Sequence, residues 1–266
     1  MEYQAVIYEK EDKIATIWFN RPEVRNAWSA QMGTELVSAL KEADADAEVL
    51  VVILTGTGDK AFSAGADIKN PRTHTVESVA DSIEVSLRVA PKVLFDTISD
   101  FPKPIIAAIN GYAAGQGLRV ALSCDILIAS ENARMSLPEV SLGILPGYGG
   151  ALRLARLVGR GMAMEMILTS EWIDAQEACR IGLVNRVVPQ TELMPTARKM
   201  AARIASLPPL SVRLAKQSLN EALDIGNLKA ASQADIYRQL LLYQTGDRRE
   251  AHEAWREKRQ PRFRGR

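Results

Sequence analysis

Cysteine and histidine are scarce in this chain of 266 residues, with two of each. Cys124 and Cys179 fall in helical patterns with no C-x-x-C spacing, which excludes a disulfide scaffold and predicts reduced, buried thiols in a cytoplasmic protein. Cys124 stands beside Asp125, but no histidine lies near it in sequence, so it reads as packing and not as a nucleophile. His74 and His252 are far apart and belong to no ligand spacing, so no metal is expected. Net charge is nearly absent too. The 33 basic and 32 acidic residues leave +1, which provides no global basic field for nucleic acid. No apolar run is long enough to cross a bilayer, and no basic start leads into an apolar stretch. Neither membrane nor secretion is therefore expected. Basic residues gather only at the end (Arg256, Lys258, Arg259, Arg262, Arg264 and Arg266), and from Arg262 onward a solvated, frayed tail is expected.

What is present is 47% hydrophobic residues, ample for a sizeable core. Ala5 to Tyr8 and Ile14 to Phe19 read as strands joined by a charged turn. Ser29 is placed to cap a helix reaching about Ala43, with Met32, Leu36, Val37 and Leu40 on one face. Val49 to Leu54 is a β-branched run of the kind found in buried strands. Val76 to Ile98 has helical spacing that Pro91 interrupts. Further helices are predicted over Gly147 to Leu157 and Met162 to Leu168. Asp174 with Glu177 forms a capping-box pattern, and Gly182 suits the position after that helix. From Thr191 only helical patterns follow. Pattern alone fits an α/β fold and does not separate a spiral from a doubly wound sheet.

The most informative segment runs from Lys103 to Gly150. An apolar strand (Ile105 to Ile109) enters a glycine turn (Gly111, Gly115, Gly117), a helix begins near Leu118, a second strand covers Ile126 to Ala129, and Glu139 precedes another glycine turn. Glycines at a strand-to-helix junction let backbone approach a ligand, and the free amides of a helix start favour negative charge. This segment resembles the enoyl-CoA hydratase/isomerase (crotonase) superfamily. Four other stretches agree in order: Asn20-Arg-Pro-Glu-Val-Arg-Asn26-Ala, Ala61-Phe-Ser-Ala-Gly65-Ala66-Asp67-Ile68, Ala175 to Val184, and Asp247-Arg-Arg-Glu250 to Glu257-Lys258-Arg259.

The resemblance implies a crotonase-like spiral of ββα units over residues 1–190 and a helical, subunit-packing region over 191–266, assembled as a homo-trimer or hexamer. It implies an acyl-CoA thioester substrate, with coenzyme A entering as part of that substrate and no separate cofactor. The thioester oxygen would rest between the amides of Ala66 and Gln116, where the family usually has glycine in place of Gln116. Coenzyme A contacts would fall at Arg25, Ala64, Asp67, Ile68 and Gly117, with Trp255 and Lys258 reaching a neighbouring subunit's ligand.

Glu139 matches the second of two carboxylates used by hydratases. Its plainer reading is a surface or capping glutamate; its chemical reading is a general acid/base with a raised pKa. The first hydratase carboxylate would fall at Arg119, in Gly115-Gln-Gly117-Leu-Arg119, so a permanent cation stands in its place. Three readings stay open. Arg119 pairs with Glu139, binds a negative group on the acyl chain, or points out of the site. Ala151-Leu152 and Tyr148 also depart from the usual pattern around the pocket. With one carboxylate, double-bond isomerisation is the favoured chemistry. The alternatives are a 2-enoyl-CoA hydratase using Glu139 alone and a non-catalytic acyl-CoA-binding homologue.

Overall fold

The computed structural model describes residues 3–67, 91–222 and 224–266. Ile68 and His74, together with the expected helix as far as position 90, lie outside the described residues. The chain opens with a hairpin of β1 (Val6–Glu11) and β2 (Ile14–Phe19), paired antiparallel. Its turn is tighter than the sequence suggests, because Asp12 adopts a left-handed conformation (φ 53°) and frees Glu9 to Glu11 for the edge strand. Ser29 accepts a hydrogen bond from the Met32 amide and caps α1 (Ala30–Ala45). The apolar stripe of α1, Met32, Leu36, Ala39, Leu40 and Ala43, is buried at helical spacing. At the other end of α1 the fully buried Lys103 ammonium donates to the carbonyls of Ala43, Asp44 and Asp46 at 2.6, 3.0 and 2.8 Å. It thereby satisfies acceptors that the helix leaves open.

Three spiral turns then repeat one plan. β3 (Val51–Gly56), β5 (Ile105–Ile109) and β7 (Ile126–Ser130) each join a large sheet. Their successors β4 (Ala61–Ser63), β6 (Tyr112–Ala114) and β8 (Arg134–Ser136) each join a small one. With β9 (Ile173–Asp174) and β10 (Arg186–Val188), the sheet orders are β1-β2-β3-β5-β7-β10 and β4-β6-β8-β9. This is the expected spiral of ββα units and not a doubly wound sheet, since alternate strands leave the first sheet for the second. β3 is buried along its whole length, and its alternation serves two cores. Val52 and Leu54 pack in the main cluster with α1, while Val51 and Ile53 meet Leu193, Ala197, Ala201 and Ala205 on the other face.

The helices between and after the strands are α2 (Pro91–Ser99), α3 (Gln116–Ala121), α4 (Gly150–Val158), α5 (Arg160–Thr169), α6 (Ala175–Arg180), α7 (Leu193–Ala205), α8 (Pro209–Ala222), α9 (Leu228–Tyr243) and α10 (Gly246–Glu257). Helix α4 starts three residues later than its apolar pattern suggests, because Tyr148 and Gly149 both have positive φ and form a turn. Asp174 caps α6 as expected, accepting from the Glu177 amide at 2.8 Å. The Glu177 side chain, however, pairs with Arg180 instead of closing a capping box. Although α7 falls in the expected C-terminal region, it packs on the large sheet. Helix α9 buries no residue and exposes Leu228, Ile236, Tyr237, Leu240, Leu241 and Tyr243.

Two expectations are corrected. Cys179 is exposed, since it lies on the outer side of the short helix α6, whereas Cys124 is half-buried with its thiol on the Val120 carbonyl. The tail is not frayed. Asp247, only 4% exposed, accepts from the amides of Arg264 and Gly265 at 2.7 and 2.8 Å, and its own amide donates to the Arg266 carbonyl. Glu250 accepts from the Arg262 amide and from the Arg259 guanidinium. These contacts hold the Glu250 carboxyl down at about 2, the Arg259 hydrogen bond being the largest cause. The acidic residues of the D-x-x-E pattern thus fasten the end of the chain.

Candidate active site

β4, β6 and β8 are parallel neighbours in the small sheet, about 4.8 Å apart as adjacent strands are. Each is followed within three residues by a group singled out in the sequence. Ala66 comes after Ser63, Gln116 after Ala114, and Glu139 after Ser136. The three groups therefore issue side by side from the carboxyl ends of adjacent strands, the edge at which open α/β sheets hold ligands.

Close packing brings the first two loops together. A Cβ on Gly117 would fall 2.4 Å from the Ser63 carbonyl oxygen, and one on Gly65 would fall 2.9 Å from that of Ala114 and 3.8 Å from the Gln116 nitrogen. Only glycine permits this approach. The Ala66 residue forms a parallel bridge with Trp28, in which Trp28 donates to Gly65 and Asp67 donates to Trp28. Among the described residues, the Ala66 amide donates to no acceptor, and neither does that of Gln116, the first residue of α3. Ala66 is exposed and Gln116 half-buried. Two amides from neighbouring loops thus stand unpaired at the strand ends.

Glu139 sits in a short 3-10 turn (Pro138–Leu142) and is only 5% exposed, which rules out the surface reading. Its Oε1 lies 3.3 Å from Arg119 Nε. That approach is a charge contact only, for among the described residues Arg119 Nε and both Glu139 carboxylate oxygens have no hydrogen-bond partner from another residue. Of the three readings for Arg119, pairing is what the structure shows, and an outward-pointing side chain is excluded. Arg119 also donates from Nη1 to the Gly147 carbonyl at 3.3 Å and lies over the Phe95 ring at 5.3 Å. Phe95 in turn stacks on Tyr148. Burial pushes the Glu139 pKa up, and the Arg119 charge opposes the rise. Burial lowers the Arg119 pKa, with Glu139 opposing.

The remaining candidates are distributed unevenly. Arg25, exposed and in a left-handed conformation, accepts from the Ala64 amide through its carbonyl and lies 5.7 Å above the Tyr112 ring. The Asp67 carboxylate accepts from Arg21 Nη2 at 3.0 Å. Trp255 is 79% exposed, and Lys258 ends α10 in a left-handed conformation. The sequence reading missed the supporting residues. Asn26 is fully buried, accepts from the Arg21 amide and donates to Thr57 and Ala61, so it fixes the approach to β4. Its signal was the N-R-P-x-x-x-N-A pattern. Phe95 had no local signal. Among the described residues, no group of three or more His, Cys, Asp or Glu is arranged to hold a metal, and no helix is long and apolar enough to cross a membrane.

The family model for enoyl-CoA hydratase/isomerase matches residues 9–266. The chain belongs to that family. It is similar to the short-chain-enoyl-CoA hydratase of Clostridium acetobutylicum, with 44% identity over 261 residues covering 97% of each chain. It is also 41% identical to the crotonyl-CoA hydratase of Syntrophomonas wolfei over 264 residues, 99% of each. Among solved structures, an enoyl-CoA hydratase from Bacillus anthracis superposes with a TM-score of 0.92 at 36% identity, over 99% of this chain and all of that one. The crotonase fold of this enoyl-CoA hydratase/isomerase family member is thus seen both in its sheet topology and in its neighbours.

Proposed function

We propose that this protein binds an acyl-CoA thioester with the thioester oxygen between the amides of Ala66 and Gln116, and shifts a double bond along the acyl chain with Glu139 as its single acid/base. Glu139 takes a proton from the carbon between the thioester and the double bond, so a C–H bond breaks and an O–H bond forms. The electron pair moves to the thioester oxygen, giving an enolate. Glu139 then returns the proton to a different carbon of the same conjugated unit. Preorganised amide donors of this kind commonly contribute about 10²–10³ in rate each. Charge supports the scheme. Before the transfer Arg119 balances the Glu139 carboxylate, and after it the same cation balances the enolate, so the buried site keeps its net charge throughout.

The observation that carries this reading is the identity of Glu139's partner. The carboxylate faces a guanidinium at 3.3 Å, where a second carboxylate would be needed to orient a water. A guanidinium accepts no hydrogen bond, so it cannot take a proton from that water. Coenzyme A is assigned to Arg25, Ala64, Asp67, Ile68 and Gly117 from one subunit, with Trp255 and Lys258 from a neighbour. The apolar residues left exposed on α9 support a homo-trimer or hexamer, and sedimentation should give a multiple of three chains. The second reading is hydration. Relatives named as hydratases favour it, as do the unpartnered Glu139 oxygens, either of which is able to hold a water.

A single assay separates the two. The enzyme should isomerise a 3-enoyl-CoA faster than it hydrates the 2-enoyl-CoA of the same chain length. Hydration at an equal or greater rate would establish the second reading. Binding without turnover across a panel of chain lengths would favour a non-catalytic acyl-CoA-binding protein.

A further inference from the structure

Resting on that reading of Glu139, we propose that Arg119 is a positioning residue that holds the Glu139 carboxylate as an aimed anion and ties it to both the amide-bearing helix and the following loop. Arg119 lies on α3, one turn beyond Gln116, and its amide donates to the Gly115 carbonyl. Its guanidinium meets Glu139 through Nε and the loop at Gly147 through Nη1, while Phe95 covers its face. The stem has room only because position 150 has no side chain, for a Cβ there would come within 2.6 Å of Arg119 Cδ and 2.7 Å of Cγ. One side chain therefore touches three parts of the site: the helix that presents one amide, the turn that presents the carboxylate, and the loop beside them.

The arrangement differs from a fastener. A buried pair that serves only stability satisfies its polar atoms, since each orphan is costly. Here, among the described residues, Nε, Oε1 and Oε2 are all left without a partner from another residue. The carboxylate is steered by charge while its lone pairs stay free for a substrate proton. Among the described residues, few charged or titratable groups bear on the pair. Arg119 acts on Glu139, and Glu139 and Tyr148 act on Arg119. Removing the guanidinium should then take away the largest opposition to burial at Glu139, leaving only that of its own backbone amide.

The experiment is a carboxyl NMR titration of protein carrying ¹³C at glutamate Cδ, with Glu139 assigned from the signal missing in Glu139→Gln. It is run on native protein, Arg119→Met, Arg119→Gln and Arg119→Lys. An opposite charge at this distance typically lowers a carboxyl pKa by about 1–3 units. The Glu139 midpoint should therefore rise by about one unit or more in the two neutral variants and stay near native in Arg119→Lys. The acid limb of kcat/KM on an enoyl-CoA should move with it. The two neutral variants cover each other if one fails to fold. An unmoved midpoint in either folded neutral variant would overturn the proposal. Full turnover in Glu139→Gln would instead overturn the reading beneath it, whatever the titration gave.

Discussion

Two carboxylates in this molecule each face a cation across the fold, and they are finished differently. Asp125 accepts from Lys216 Nζ and from the Ile105 amide, both at 2.7 Å, and Lys216 also donates to the Lys103 carbonyl at 3.1 Å. Glu139 faces Arg119 at 3.3 Å with neither oxygen hydrogen-bonded. Burial is the main cause that raises the pKa of both carboxyls, and the neighbouring cation opposes it in both. A shifted pKa therefore does not tell them apart. The hydrogen-bond account does. The first carboxylate is fastened through Oδ2 by two hydrogen bonds that dock α8 onto the strand ends of the core, whereas among the described residues no donor fastens either oxygen of the second.

The comparison is most exposed to loss of the carboxylate itself. Glu139→Gln should lower turnover by about 10²–10⁴, the usual contribution of a positioned acid/base, while the protein still binds ligand. Steady-state kinetics with calorimetric titration reads both. Asp125→Ala should do the reverse. It should cost about 1–3 kcal/mol of stability, because the Ile105 amide loses its acceptor and Lys216 keeps only the Lys103 carbonyl, and leave kcat of the folded fraction unchanged; denaturant unfolding measures the loss. A finer test replaces both members of each pair. Arg119→Met with Glu139→Met should unfold at least as late as native protein, since apolar replacement of a buried pair is often neutral or stabilising. Lys216→Met with Asp125→Leu should still lose about 1–3 kcal/mol, because the Ile105 amide loses its acceptor. If the two double variants behaved alike, the distinction between fastener and site would fall.

The pH dependence has a definite sign. A raised folded-state pKa at Glu139 means that its contribution to stability is fully present below the unfolded-state value. That contribution is lost as pH rises through the folded-state value. Activity as a base follows the opposite course, so kcat/KM should have an acid limb above the ordinary carboxylate range, seen in a pH–rate profile.

The sequence revealed more of the fold than of the pairing. The strand-and-turn segments around Ala66, Gln116 and Glu139 were legible because their glycines, prolines and apolar strands lie within a few residues, whereas the roles given to those three residues came from the resemblance. The spiral was legible only through the family resemblance, because recurring strand–strand–helix units fit a doubly wound sheet as well and the division of strands between two sheets depends on long-range pairing. Partnerships across the fold left no local trace. Asp125 and Lys216 are 91 positions apart, and Phe95 reaches Arg119 from a different helix. The orientation of Arg119 stayed undecided for the same reason: helical spacing fixes where its Cβ emerges, while neighbours brought by tertiary packing fix where its guanidinium ends. The same gap turned a fastened tail into an expected loose one, and an exposed Cys179 into an expected buried thiol.

The fastened tail has a consequence for the order in which the chain is made. Asp247 and Glu250 leave the ribosome before the amides of residues 262–266 that they bind. Until those residues follow, a carboxylate destined for the interior has only water as its partner. Domains generally fold as units during synthesis, from the N-terminal side onward. The spiral is therefore able to close while translation continues, but the last helix cannot be completed until the final residues are free. A chain cut back to residue 260 would keep the spiral but leave Asp247 without the amides of residues 264 and 265, and its last helix should fray.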